Sequence, residues 1–306
     1  MRVAAVDIGT NTVRLLVADV GAGETEFLNV VERRVVLVRL GRGVDATRKI
    51  NPDVLGRSVA VLAGFGAVIA RTGAEAVRAV ATSAVRDASN SDEFLDRATE
   101  TLGVRPDVID GDEEAALSFR GATLGVESAG PVLVIDPGGG STEFVLGTTE
   151  PDYSVSIDVG SVRITERHLQ QRPVQPGQLA VARSAADELM SRVALPTQPS
   201  TVIGVGGTFS TLAAMHLDLA RFDSQKVHGT TMTLTAIEGL VEFLALRSVQ
   251  ETRNIASMDE GRADIILGGS IVVERALKVV GVTDVRISET GILHGLALSL
   301  GQAGVT

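Results

Sequence analysis

Short apolar runs alternate with longer amphipathic stretches along the whole chain. Arg2–Asp7 is a compact Val/Ala run, Gly9 and Asn11 follow, and Val13–Val20 is apolar again, which predicts strand, tight turn, strand. Phe27–Leu40, with Val30, Val31, Val35, Val36 and Val38, predicts a third strand. Asn51-Pro52-Asp53 predicts a helix start, because Asn51 can cap and Pro52 suits the first helical position; the helix runs through Val54–Thr72. A strand at Val77–Ala81 and a helix at Ser91–Leu102 capped by Ser91 come next. A short strand at Val108-Ile109 and a helix over Asp112–Gly121 complete this part.

The alternation then begins again. Val132–Asp136 predicts a buried strand, Gly138-Gly139-Gly140 a turn and Thr142–Leu146 the outgoing strand. Further strands are expected at Tyr153–Val159, Thr201–Val205, Met232–Thr235 and Val285–Ser288. Helices are expected at Val162–Gln170, Gln178–Val193, Thr208–Leu219, Ala236–Leu246, Arg262–Val280 and Gly291–Leu300. Strands interleaved with helices imply an α/β class with covered sheets.

One internal repeat decides the architecture. Residues 3–15 (VAAVDIGTNTVRL) align with residues 132–144 (VLVIDPGGGSTEF) at a constant offset of 129 positions. Each copy is an apolar strand, Asp, any residue, Gly, two residues, Thr or Ser, then a strand. Two such copies in 306 residues predict two similar α/β halves facing one another across a cleft.

Composition removes alternatives. There is no Cys, so no disulfide framework, thiolate metal site or cysteine nucleophile. The net charge is −10 and aromatics are 3% of residues, which argues against nucleic acid and against an anionic membrane as partner. Of the 28 basic residues, 25 are Arg, a side chain suited to bidentate phosphate contact. The apolar start is short and broken by Arg2, and the apolar-rich stretch Val59–Ala70 falls short of the roughly 20 residues of a membrane span. A cytoplasmic protein is expected.

The Asp-x-Gly-x-x-Thr/Ser turn can serve a phosphate. An Asp at a buried strand end can meet a divalent cation or its waters, glycine brings backbone N–H groups close to a ligand, and successive N–H groups form an anion-binding concavity. Walker-type Gly-Lys-Ser/Thr and dinucleotide Gly-x-Gly-x-x-Gly motifs are absent, and the four His show no helical metal-ligand spacing. Glu143 stands seven positions after Asp136. Glu113 and Glu114 open a short helix, where carboxylates gain from the helix N-terminus with or without catalysis; as a proton acceptor for an attacking water, either fits. Thr82-Ser83 with Arg86, and Gly204-Val205-Gly206-Gly207-Thr208 at a strand-to-helix junction, are further candidate phosphate contacts.

Taken together, these segments resemble the exopolyphosphatase / guanosine pentaphosphate phosphatase family of the acetate and sugar kinase, Hsp70 and actin superfamily. The resemblance rests on residues 7–15 (DIGTNTVRL), 81–86 (ATSAVR), 112–115 (DEEA), 136–143 (DPGGGSTE), 160–167 (GSVRITER), 204–208 (GVGGT) and 262–266 (RADII). It implies two duplicated ribonuclease-H-like (actin-like ATPase) domains around a central cleft, the first over 1–124 with 287–306 packing back on it, the second over 125–286. It implies Glu114 as catalytic base, with Asp136 and Glu143 positioning Mg2+ and the attacking water and Asp7 opposite as a further metal ligand. Thr10, Asn11, Thr12, Arg86, Gly138, Gly139, Gly140, Ser141, Gly206, Gly207 and Thr208 would hold phosphates. The implied activity is exopolyphosphatase, releasing orthophosphate from the ends of inorganic polyphosphate, with guanosine pentaphosphate hydrolysis as the same-chemistry alternative. A small-molecule kinase and a non-catalytic sensor of guanosine penta- or tetraphosphate are the other classes. A homodimer is expected from the family. Pro137 departs from the family's apolar residue after the Asp and removes one N–H before the turn. The chain also ends soon after the second domain, without the accessory region of longer relatives, which argues against strong processivity on long polymers.

Overall fold

The computed structural model describes residues 1–21, 27–258 and 261–303. The chain divides into two compact units, Met1–Gly121 with Thr290–Thr306, and Ala122–Glu289.

The first unit runs β1 (Arg2–Ile8), β2 (Thr12–Gly21), β3 (Phe27–Leu37), α1 (Val44–Thr47), α2 (Pro52–Thr72), β4 (Ala76–Ala81), α3 (Ser83–Arg86), α4 (Ser91–Leu102), β5 (Asp107–Val108) and α5 (Gly111–Ala122). The second carries β6 (Val132–Pro137), β7 (Thr142–Gly147), β8 (Pro151–Ile157), α6 (Ser161–His168), α7 (Pro176–Met190), β9 (Thr201–Gly204), α8 (Gly206–His216) and α9 (Ser224–Val227). It continues with β10 (Thr231–Thr233), α10 (Leu234–Ala245), α11 (Val249–Arg253), α12 (Ile266–Val280) and β11 (Asp284–Ile287); α13 (Ile292–Ala303) returns to the first unit.

Both sheets are mixed and are built to one plan. Among the described residues the first has the order β3-β2-β1-β4-β5 and the second β10-β11-β9-β6-β7-β8. In each, three antiparallel strands lead to a fourth that lies parallel to the first: β1 pairs with β2 and β4, and β6 pairs with β7 and β9. The duplication expected from the repeat is therefore a duplication of topology, with β10 added at one edge.

Period-two alternation lets β1 serve two cores. Ala4, Val6 and Ile8 join the cluster under α2 and α4, while Val3 and Ala5 join Leu117 of α5 and Leu293, Leu296 and Ala297 of α13. Every residue of β1 from Val3 to Ile8 is buried, as in a sheet covered on both faces. Helix α2 starts where Asn51-Pro52 predicts, with Asn51 accepting from the N–H groups of Asp53 and Val54. At 21 residues and a mean hydropathy of 1.6 it is long and apolar enough to cross a membrane, contrary to the expectation from its central stretch alone. Here its face of Val54, Leu55, Leu62, Phe65 and Ile69 enters the sheet's core.

Several sequence expectations shift. Helix α4 is not capped by Ser91: the cap position falls on Asn90, whose amide is spent on Ile50, accepting from its N–H and donating to its carbonyl. Strand β3 stops at Leu37 instead of Leu40, because Val38 and Arg39 turn their N–H groups to the Asn11 carbonyl and Arg39 adopts a left-handed φ of 59°. Arg262–Ile265 precede α12 and are not part of it. The short helices α1, α3, α9 and α11 escape a periodicity search, since four or five residues complete little more than one turn.

Candidate active site

The two repeat copies fold into the same turn. The Gly9 N–H donates to the Thr12 carbonyl at 3.0 Å, and the Gly138 N–H donates to the Ser141 carbonyl at 2.9 Å. In both units, the segment after the sheet's third strand grips this turn from behind. In the first unit the Thr10 carbonyl accepts from Gly41 N–H at 2.7 Å, and the Asn11 carbonyl from Val38 and Arg39. In the second, the start of α6 does this work: the Gly138 carbonyl accepts from Ser161 N–H, and the Gly139 carbonyl from Val162 N–H at 2.9 Å. The Gly140 carbonyl accepts from Arg163 Nε at 2.7 Å.

In a planar trans peptide the carbonyl and the following N–H point opposite ways. Holding the carbonyls of Gly138, Gly139 and Gly140 against α6 therefore aims the N–H groups of Gly139, Gly140 and Ser141 to the other side, an arrangement that receives an anion. Pro137 lies in the ladder opposite Thr142, one residue ahead of this turn, so its missing N–H is not one of the three. In the first copy Thr10 Oγ1 shares a 2.8 Å hydrogen bond with Ser83 Oγ, and Asn11 is buried. Among the described residues, the Asn11 side-chain Nδ2 is buried without a hydrogen-bond partner. A buried orphan donor costs about 1–3 kcal/mol, and an oxygen-rich ligand would satisfy it.

The position seven residues after each Asp separates the copies. Asp7 pairs across the ladder with Arg14, whose Nη1 is 3.7 Å from Asp7 Oδ2. Asp136 pairs with Glu143, which is only 1% exposed. One copy thus sets acid against base; the other sets two acids side by side. Glu143 Oε1 accepts from Ser156 Oγ at 2.8 Å on the neighbouring β8. The Asp136 carboxylate rests on Gly206: a Cβ there would lie 2.8 Å from Asp136 Oδ1, and the φ of +87° is itself a glycine conformation.

Two adjacent carboxylates, all oxygen donors, suit a hard divalent cation. Among the described residues no group of three or more His, Asp or Glu forms a ready cage. A pair suffices for a divalent cation that keeps waters or ligand oxygens and uses only one or two carboxylates.

Glu113 and Glu114 separate cleanly. Glu113 Oε1 is bound by Arg78 Nη2 at 2.6 Å, and Arg78 also reaches Asp107. Partial burial works against the Arg78 charge, but its hydrogen bonds to Glu113 and Asp107 outweigh burial and raise its pKa above the usual arginine value. Glu114, with a side chain 13% exposed, lies 3.7 Å from Arg86 Nη1, and the same nitrogen donates to the Ile109 carbonyl at 2.7 Å. Arg86 thus stands beside Glu114 within the first unit. At the opening of α8, Thr208 is buried and the Arg262 guanidinium lies directly over Gly207, where any side chain would collide with it.

The first unit therefore gathers Asp7, Thr10, Asn11 and Thr12 in one turn and Arg86 with Glu114 near α5. The second gathers Asp136, Glu143, Gly138–Ser141 and Gly206–Thr208. Sequence reasoning named Ser83 as a candidate phosphate contact but did not single out Arg14, Ser156 or Arg163 in these roles. The sign change at position seven of the repeat was the available signal for Arg14; the others are reached through sheet pairing or loop return.

Comparison with known proteins places these features in context. The sequence model of the Ppx/GppA phosphatase family matches residues 16–302. The chain is 40% identical to exopolyphosphatase 2 of Mycobacterium tuberculosis over 98% of both proteins. A solved exopolyphosphatase-like protein superposes with a TM-score of 0.94 at 35% identity, covering 100% of this chain and 99% of that one. The Ppx/GppA family member of Aquifex aeolicus superposes with a TM-score of 0.85 at 29% identity, covering 100% and 99%.

Proposed function

Because the chain belongs to the Ppx/GppA phosphatase family, we propose that it is an exopolyphosphatase, a hydrolase that releases orthophosphate from the end of inorganic polyphosphate. The likeness over nearly the full length to a protein named exopolyphosphatase 2 carries this reading, and the two phosphate-facing turns supply its chemistry.

Glu114 accepts a proton from the attacking water, and Arg86, 3.7 Å away, helps hold its carboxylate in place. As the water oxygen bonds to the terminal phosphorus, the bridging P–O bond breaks and the shortened chain leaves. The N–H groups of Gly139, Gly140 and Ser141 and the side chain of Asn11 hold phosphate oxygens, and fixed donors of this kind stabilise charge with little reorganisation. Arg86 and the loop Gly206–Thr208 are further phosphate contacts. Asp136 and Glu143 would hold a divalent metal, which we take to be magnesium; when bound it would neutralise charge on the phosphate oxygens. Asp7, 3.7 Å from Arg14 Nη1, is the first unit's candidate metal ligand. We place the protein in the cytoplasm and read it as a homodimer, which sedimentation would test.

Ser156→Ala provides a local check. Losing the hydroxyl that fixes Glu143 raises the magnesium concentration for half-maximal activity by about tenfold. An unchanged magnesium dependence would remove Glu143 from the metal site.

The reading as a whole is tested by phosphate release from polyphosphates of defined length and from guanosine pentaphosphate, with and without magnesium. Release from polyphosphate is the expected result. Release from the nucleotide alone would transfer the assignment to it, and phosphorylation of an acceptor by ATP without free phosphate would overturn it.

A further inference from the structure

The segment 160–167 belongs to the family resemblance but has no place in the chemistry above. Its fold supplies one. Gly160 is packed so tightly on the phosphate turn that a Cβ there would lie 2.7 Å from the Gly140 N and closer still to the Gly139 carbonyl. The next three residues bind the turn carbonyls in order: Ser161 reaches Gly138 through its N–H and hydroxyl, Val162 and Arg163 reach Gly139 through their N–H groups, and Arg163 alone reaches Gly140, through side-chain Nε. Only the last uses a charge.

The Arg163 side chain is 11% exposed. Asp158, 76% exposed, lies 3.9 Å from its Nη2. The Arg163 Nε–H donates to the Gly140 carbonyl at 2.7 Å, a short hydrogen bond to a turn carbonyl. A cation on that carbonyl has two effects on the peptide it belongs to. It fixes the plane, so that the Ser141 N–H projects away from α6. It also polarises the amide, which makes that N–H a stronger donor.

The geometry points to Arg163 as a positioning residue that acts through the Gly140–Ser141 peptide, orienting and strengthening the Ser141 N–H toward a phosphate oxygen without touching the substrate itself. This rests on the reading of the Gly138–Ser141 turn as a phosphate site. Arg163 differs from an ordinary phosphate-binding arginine in that its Nε–H is spent on a carbonyl at the back of the turn.

The test uses the full chain, isotope-labelled for amide resonances, titrated with tripolyphosphate as probe. In the wild type, the N–H signals of Gly139, Gly140 and Ser141 move together on binding. In Arg163→Met the Ser141 response is lost and the dissociation constant rises by about tenfold. Arg163→Lys keeps the charge but not the Nε–H direction and recovers only part of the loss. Free guanidinium ion added to Arg163→Gly restores binding, a rescue that a folding defect would not show. Melting temperatures of the variants are measured alongside. If the three amides respond in the wild type and respond equally in Arg163→Met, the positioning role is overturned while the phosphate turn stands. If they do not respond in the wild type, the turn is not a phosphate site and the inference falls with it.

Discussion

Replacing Glu114 by glutamine lowers polyphosphate turnover by about 10²–10⁴-fold, the range a general base contributes. The melting temperature stays within a degree or so, because glutamine keeps the volume and stays beside Arg86, so the change lowers kcat with little effect on KM. Glu113→Gln is the control. It weakens a half-exposed pair with Arg78, worth at most about 1 kcal/mol at such a site, and leaves turnover within about twofold. Steady-state phosphate release from both variants decides the matter. Wild-type-like turnover in Glu114→Gln would remove it as the base; equal losses in both would assign the effect to the start of α5.

The second large effect is on stability. Helices α5 and α13 meet at glycines: a Cβ on Gly121 would collide with the Gly291 carbonyl and lie 2.8 Å from the Gly295 N, and a Cβ on Gly295 would collide with the Leu117 carbonyl. The obstacles are backbone atoms, which cannot swing aside as a flexible side chain can. Gly295→Ala is therefore expected to cost roughly 3 kcal/mol, the upper part of the overpacking range, and to lower the melting temperature by about 10 °C. The better helix propensity of alanine recovers only about 1 kcal/mol. Calorimetry on the variant measures this directly. An unchanged melting temperature would mean that the two helices can separate at no cost. Because α5 also carries Glu114, turnover is expected to fall as well, by less than in Glu114→Gln.

Much of this was legible in the sequence because the chain repeats itself. Two copies of strand-Asp-x-Gly-x-x-Thr/Ser-strand, at a fixed offset, foretell two sheets on one plan, and strand order confirms the correspondence β1 with β6, β2 with β7 and β4 with β9. Asn51-Pro52 announces the start of α2 because capping and proline geometry are local. The grip on the turns was not legible. It comes from Val38–Gly41 in one copy and Ser161–Arg163 in the other, segments that share no residues and lie more than twenty positions downstream. Backbone N–H groups do it in one case and an arginine completes it in the other, so nothing in residue type marks the common task. The Glu113–Glu114 ambiguity has a similar cause. Neighbouring helical residues point about 100° apart, and which one meets Arg78 and which meets Arg86 depends on how α5 lies on the sheet. The glycine contact between α5 and α13 brings together residues 170 or more positions apart, with no pattern linking them.

That return of α13 has a consequence for the order of events during synthesis. The second unit is one continuous stretch, Ala122–Glu289, whereas the first is Met1–Gly121 completed by Thr290–Thr306. Val3, Ala5, Leu16, Ala18 and Val20 form a sheet face whose cover includes Ile292, Leu293, Leu296 and Ala297. The part translated first is thus the part that must wait, its apolar face incomplete until the final helix leaves the ribosome. A nascent chain arrested before Ile292 would carry a finished second unit joined to a sticky, half-covered first one, and would be the natural client of a chaperone.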